Sequence, residues 1–535
     1  MKYECGMRSV LLLALVCASC GGTSPVPPID PSALMSTLTE LEAFGEKRVG
    51  TDPGATAAAY VHTRFVKAGL KEISLETFQF PRHVVDAATM GVTLDGAAQT
   101  IGFDVFEGSG PGVVDADLLY VGFATAAEIA KVDLHGKVAL VDRATTYHRS
   151  TQYENVIEAG AVAMLYGSTA SDNLRQIGSV RRSWESMGPI PALTIGQDDG
   201  TTLKAALSAN RAVQVTMDVT VHSVPSQGEN IVGKILGSDA GGEIVIGAHF
   251  DTWFAGSSDN GGGIAALLAI AERRAREAKP RYTLVFVAYD GEEVALYGGY
   301  DFLRKHAVIA KEPILTVINF ETPSAKGAAL SGLAHSNHAV LDDALVDSDL
   351  NHDYPLYTTM EVVPMLFGGI IPTDIQGIYR AGFPTASTAV DAPYYHTTAD
   401  TPDKVDTQML AATAMDFDHA LDDLALSSPD RFADLDSKLW TAEVALAQAE
   451  PASDVTVTMT VKDAMGTLQP NAMVEADLLV DDFTSAGHVD TTTDENGHAS
   501  IQFSAAQVTM SQGSRFVHVT AGATYPLYEG VLPIN

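Results

Sequence analysis

The chain has 535 residues, 46% hydrophobic and 19% charged, enough for more than one globular domain with ample core. Its formal net charge of −34 repels nucleic acid and anionic lipid, so neither is expected as a partner. All three cysteines, Cys5, Cys17 and Cys20, fall within residues 1–20, which excludes a thiolate nucleophile, a thiolate metal site or an internal disulfide from the rest of the chain.

In chain order, Arg8 precedes the apolar run Val10 to Ala18, too short to span a bilayer, so residues 1–20 read as an export signal. Val16 to Gly22 (VCASCGG) resembles a bacterial lipoprotein cleavage box with Cys20 as the lipidated residue, with Cys17 where leucine is usual. Residues 21–31 form a Pro/Gly linker. The expected location is the bacterial cell envelope or the exterior, with membrane contact only through such an anchor. Leu34, Leu38, Leu41 and Phe44 recur at helical spacing. Val49 to Gly54 breaks that helix, Ala57 to Ala68 resumes it, and Ile73 to Phe80 alternates as a strand.

From 85 to 225 the pattern changes to short strands (LLYVGF, GKVALVDR, AVAMLYG, PALTIG) with a helix predicted at Tyr153 to Glu158 and no ligand-like cluster. From 226 to 445 strands and helices alternate. ENIVGKILG, GEIVIGAHFD and RYTLVFVAYD read as strands and Gly262 to Glu277 as a helix, which predicts an α/β fold with a mostly parallel sheet covered on both faces. Residues 451–535 carry strands separated by turns, a small antiparallel β-sandwich. Its ten acidic and two basic residues read as a solvated acidic face rather than a calcium site. It holds no site motif and is expected to be dispensable for chemistry.

Chemistry concentrates in six residues of the α/β region: His249, Asp259, Glu292, Glu293, Glu321 and His396. Two imidazoles and four carboxylates suit a pair of zinc ions sharing a bridging carboxylate, with one glutamate left as proton carrier. His249 ends a strand, and Asp251, two residues on, is expected to accept its other ring N–H and fix its tautomer. Asp259 precedes a glycine run and a helix, where an N-cap is the plain alternative. Gly291 breaks the chain after a buried strand, so Glu292 and Glu293 can serve one site in different roles: one as ligand, the other free as base. Glu321 ends another apolar strand, Leu315 to Phe320. His396 alone would pass as a structural histidine, but with the other five at strand ends it completes a metal set.

The segments GAHFDTW, SSDNGGG, DGEE and YYHTTADT resemble the co-catalytic zinc exopeptidases, a family that includes secreted bacterial leucyl aminopeptidases and the glutamate carboxypeptidase II group. The resemblance covers residues 32 to 445. It implies a phosphorylase/hydrolase-like mixed sheet sandwiched by helices over 32–84 and 226–445. It further implies a protease-associated domain inserted at 85–225 and, more weakly, an immunoglobulin-like sandwich at 451–535. By motif, His249, Asp259 and Glu321 would hold one zinc and Asp259, Glu293 and His396 the other, two Zn²⁺ per chain. Glu292 would be the base that activates a bridging hydroxide, and Tyr395 would stabilise the oxyanion. The family usually has aspartate where Glu321 stands. The implied substrate is a peptide cut at a chain end. An aminopeptidase is favoured because Gly382 to Val390 lacks the arginines of acidic-substrate carboxypeptidases; Arg181, Arg182 and Arg380 are the other sources of positive charge. The alternatives are a carboxypeptidase or dipeptidase of the same family, a glutaminyl cyclase, or a receptor-like binder without catalysis.

Overall fold

The computed structural model describes residues 26–144, 148–181, 184–328, 334–348, 357–359, 370–433, 439–524 and 526–534. The expected signal, the lipidation box and Arg182 lie outside the described residues. Among those described, no helix is long and apolar enough to cross a membrane.

Asp30 caps the first helix, Pro31–Glu42, by accepting from Ser32 N. Thr51 caps the second, Asp52–Ala68, and Gly69 ends it at φ 87°, a left-handed turn that glycine adopts without penalty. Leu34, Leu38 and Leu41 of the first and Ala57, Val61 and Phe65 of the second are buried in one core with the helices Gly262–Arg274 and Thr407–Leu426.

This helical layer covers part of a 14-stranded sheet. Thr385–Thr388, Ile314–Asn319, Asp239–His249 and Tyr282–Tyr289 run parallel in that order. Every residue of Tyr282–Tyr289 is buried, as expected for a strand covered on both faces. Parallel strands put their carboxyl ends on one edge, where open α/β sheets bind ligands. His249, Asp290 and Glu321 all fall there.

The strand expected at Ile73 to Phe80 is much longer. Lys71–Leu94 pairs antiparallel with Val213–Ile235 from Lys71↔Lys234 to Leu94↔Val213. This ribbon carries the chain out to the inserted unit and back, with a register shift between Val85 and Ala87. The unit extends the same sheet through the parallel strands Gly112–Tyr120, Val138–Asp142, Ala163–Gly167 and Ala192–Ile195. Its helix begins at Arg149, not Tyr153, because His148 accepts from Ser150 N as the cap.

The C-terminal part is two antiparallel sheets of three and four strands. The expected start at 451 is corrected: Thr441–Gln448 pairs along its length with Val455–Lys462, so the sandwich begins at 441. Nor is it a detached module. Leu479, Phe483, Phe516 and Val531 share a core with Phe78, Phe80, Tyr297 and, from the inserted unit, Trp184. Phe483 stacks on Trp184 with ring centroids 5.6 Å apart, and Arg304 pairs with Asp482 at 2.6 Å.

Candidate metal centre and its cavity

His249 is the last residue of its strand and fully buried. Its Nε2 lies 3.3 Å from Asp259 Oδ1 and 3.4 Å from Glu321 Oε2. His396 Nε2 lies 3.0 Å from both Asp259 Oδ2 and Glu293 Oε2. The result is two overlapping donor triads, His249/Asp259/Glu321 and Asp259/Glu293/His396, the donor atoms of each within 4.8 Å of one another. Asp259 belongs to both. Glu292 belongs to neither and faces the adjoining cavity.

Each donor is held by its own local fold. Asp400 accepts from the amides of Ser258 and Asp259 and so fixes the loop that presents Asp259. Asn260 donates to the Phe320 carbonyl and accepts from Thr322 N, which ties that loop to the one carrying Glu321. Thr388 Oγ1 both accepts from Glu321 N and donates to the Glu321 carbonyl. Gly291 stands at φ 74° and turns the chain so that Glu292 and Glu293 open a short helix. His396 itself sits at φ 59°, backbone that a non-glycine residue adopts only when its surroundings over-determine it.

Asp251 lies beside His249 as expected, with its carboxylate 3.6 Å from Nδ1, but the ring donates its hydrogen bond, at 3.0 Å, to the Asp251 backbone carbonyl. The strand ends at His249, so the extended-chain rule does not govern the residues beyond it. The carboxylate also accepts from the amides of Glu292 and Glu293, each at 3.1 Å, and orients that turn.

The chemistry of the set fits divalent metal. His249 Nε2, His396 Nε2, Asp259 Oδ1, Glu293 Oε1 and Glu321 Oε2 are buried and have no hydrogen-bond partner among the described residues. Burying such groups is costly without a partner. With protons as the only cations, both histidines are pushed up, against burial, by neighbouring carboxylates. Burial raises Glu321 to about 7 and holds Glu292 well above the usual carboxylate range. Imidazole nitrogen and carboxylate oxygen in triads suit zinc, whose binding displaces those protons.

A cavity of about 530 Å³ opens beside the donors. Tyr395 lines it with its ring stacked on His396, centroids 3.6 Å apart. Burial drives its phenol far above the ordinary value, so it stays a hydrogen-bond donor. Arg181 and Arg380 also reach this wall.

Other contributors were not anticipated. His396 Nδ1 donates to the Ile177 carbonyl at 2.9 Å, and Gln176 Nε2 donates to the Tyr395 carbonyl, so the inserted unit sets the orientation of both residues. Arg149, half-buried and also from the inserted unit, lines the cavity that Tyr395 lines. Only Asp400 carried a sequence signal, since it lies four residues after His396.

Residues 230–418 match Peptidase family M28, and residues 109–203 match the PA domain. The chain is 27% identical over 189 residues to an aminopeptidase of Pseudomonas aeruginosa, an alignment covering 35% of this chain and 34% of that protein. It is 22% identical to human carboxypeptidase Q over 394 residues, 70% of this chain and 81% of that one. Among solved structures, a zinc aminopeptidase from Bacillus subtilis superposes with TM-score 0.58 at 17% identity, covering 76% of this chain and 98% of that one. The chain thus spans about a third of the first curated relatives it matches, and the structural likeness is one of fold. The resemblance carried by the motifs is shown by both family matches, and the fold is the α/β architecture expected, with its PA domain and C-terminal antiparallel sheets.

Proposed function

We propose that this chain, whose residues 230–418 form a Peptidase family M28 unit, is a zinc-dependent exopeptidase holding two ions per chain and acting as an aminopeptidase. The observation that carries the reading is the pair of buried donor triads sharing Asp259, with Glu292 beside them and committed to neither.

Zinc bound there supplies Lewis acidity, lowering the pKa of water and polarising the scissile carbonyl. Glu292 accepts the proton of the attacking water and passes it to the leaving amine, a task suited to a carboxylate that stands beside both triads and belongs to neither. Tyr395 donates its phenolic hydrogen to the oxyanion as it develops. Asp251 fixes the turn that carries Glu292, and the Ile177 carbonyl sets the His396 tautomer that leaves Nε2 free for metal. The carbonyl of Asp251 does the same for His249.

Arg149 supports a second reading. A half-buried guanidinium lining the cavity suits a substrate carboxylate, which favours a carboxypeptidase or dipeptidase of the same family. A panel of dipeptides blocked at one end separates the two. An aminopeptidase requires the free amine and tolerates an amidated carboxyl end, and a carboxypeptidase shows the reverse. Zinc-loaded protein that hydrolyses neither panel nor leucine anilide would overturn the peptidase reading.

Export, with anchoring through Cys20, completes the proposal; a relative described as a probable lipoprotein aminopeptidase, LpqL of Mycobacterium tuberculosis, is compatible with it. Cys20→Ser should move the protein from the membrane to the soluble fraction.

A further inference from the structure

The C-terminal sandwich, which neither family match reaches, lends buried polar side chains to the cavity wall: His518 from the strand Arg515–Gly522 and Glu529 from Pro526–Pro533. Trp184, Tyr300, Gln376 and Arg380 line the same cavity. Glu529 is 1% exposed, so its carboxylate depends on these neighbours for its hydrogen bonds.

The donors of this wall run toward that one carboxylate. An indole N–H can only donate, so Trp184 Nε1, 3.3 Å from His518 Nδ1, leaves the ring hydrogen on Nε2, which donates to Glu529 Oε1. From the other side the Ile371 amide donates to Gln376 Oε1 at 2.9 Å, Gln376 Nε2 donates to the Tyr300 hydroxyl at 2.8 Å, and Tyr300 donates to Glu529 Oε1 at 2.6 Å. Arg380 Nη1 lies 3.6 Å from Oε2 and balances the charge. Hydrogen bonds that end on a carboxylate are charge-assisted, and a chain of them polarises each member, so Glu529 is a firm end point.

The other end of the chain reaches the substrate side of the cavity. Ile370 and Pro372, on either side of Ile371, line it with Asp259, Glu292 and Tyr395. Thr373, the next residue, accepts from Asn319 Nδ2 at 2.6 Å, and Asn319 ends the strand that leads to Glu321. The segment is therefore held twice: from the sheet at Thr373, and at Ile371 by a chain of bonds that ends in the sandwich.

We propose that Glu529 is a positioning residue: through Tyr300 and Gln376 it fixes the 370–372 wall of the cavity, so that the fit of the peptide substrate depends on the sandwich. The inference rests on the peptidase reading and gives its cavity a support from outside the M28 unit. The chain of bonds includes neither a candidate metal donor nor Glu292, so it acts on substrate binding and leaves the chemical step alone.

The test uses the full zinc-loaded chain with Tyr300→Phe, Glu529→Met and the double variant. It reads KM and kcat on a tripeptide that starts with leucine, zinc content, and amide hydrogen exchange. Each single variant should raise KM by about three- to tenfold, the loss expected from one buried hydrogen bond, with kcat and zinc content held. Exchange should quicken over 370–376 and stay as it was over Thr441–Gln448, an edge strand of the sandwich. The double variant should be no worse than the poorer single one, because both break one chain. Tyr300→Phe keeps the Glu529 contacts with His518 and Arg380, so it decides the question even where Glu529→Met does not fold. Unchanged KM and exchange in Tyr300→Phe, single effects that multiply, or zinc and kcat lost together would overturn the positioning role and leave the peptidase reading standing. Native protein that turns over neither peptide nor leucine anilide would overturn the peptidase reading, and the exchange comparison would still decide whether Glu529 holds the wall.

Discussion

Replacing Phe483 with alanine tests whether the sandwich is built into the rest of the chain. Phe483 is fully buried and touches all three parts of the chain: it stacks on Trp184, packs 4.9 Å from Tyr297 and meets Phe78 edge-on at 5.6 Å. Truncating a buried phenylalanine costs about 3–5 kcal/mol from lost transfer and the remaining cavity. The aromatic pairs, each about 0.5–1.5 kcal/mol, are already largely inside that figure because they act together. A loss of about 3 kcal/mol concentrated at the docking surface shifts the docked equilibrium by roughly a hundredfold. The assay is urea unfolding followed by tryptophan fluorescence, since Trp184 reports the docked ring directly. Phe483→Ala should shift Trp184 emission toward that of a solvated indole at urea concentrations where the native protein is unchanged, and cut kcat/KM for peptides more than kcat for leucine anilide. Unchanged emission, unfolding and peptide turnover would refute the shared core and return the sandwich to the status of an appendage.

Other expectations are briefer. Glu292→Gln should keep both zinc ions, measured by metal analysis, and lose about 10²–10⁴-fold in kcat. Glu321→Ala should lower zinc from two ions per chain to one, because His249 and the shared Asp259 are too few protein ligands for a tight site; Glu321→Asp restores the family's usual residue and should keep two. Burial holds the Lys47 ammonium down to about 8, below its ordinary 10.5. The unfolded chain therefore binds the extra proton between those values, and stability should rise with pH across that window; Lys47→Met should remove the rise in a pH series of urea midpoints.

Most of the candidate donors were legible because they lie where a strong pattern stops: His249 and Glu321 after apolar strands, Glu293, with Glu292 beside it, after a glycine break, Asp259 in a glycine-rich loop. Periodicity marks such places without any knowledge of tertiary contact. Asp251 was legible in part. Past the strand's last residue the alternation rule no longer holds, and there the backbone carbonyl took the ring's hydrogen bond while the carboxylate, 3.6 Å away, also turned to two amides. The Ile177 carbonyl and Arg149 were not legible at all. A backbone carbonyl has no sequence signature, and a lone arginine far upstream of the motifs looks like any other surface charge. The docked face of the sandwich did leave a trace. The run Leu478-Leu479-Val480 breaks the alternation of its strand, and a strand apolar on both faces must be covered on both. Read that way, the sequence already denied that the sandwich stands alone.

The same contacts change what the inserted unit and the sandwich are for. Each gives the centre something the M28 unit does not carry: the Ile177 carbonyl that orients His396, the Arg149 charge beside Tyr395, and the sheet face that walls the cavity. The inserted unit can be held to that tolerance because it is an extension of the sheet that carries His249, joined by the ribbon Lys71–Leu94 and Val213–Ile235 and not by a flexible linker. The sandwich is held by the aromatic cluster in which Trp184 and Phe483 meet. A carbonyl that fixes a histidine tautomer is useful only if it stays within hydrogen-bond reach through turnover, so rigidity between parts is a requirement of the site. It follows that substitutions in the Trp184 and Phe483 cluster, far from any metal donor, should act on substrate turnover before they act on metal content.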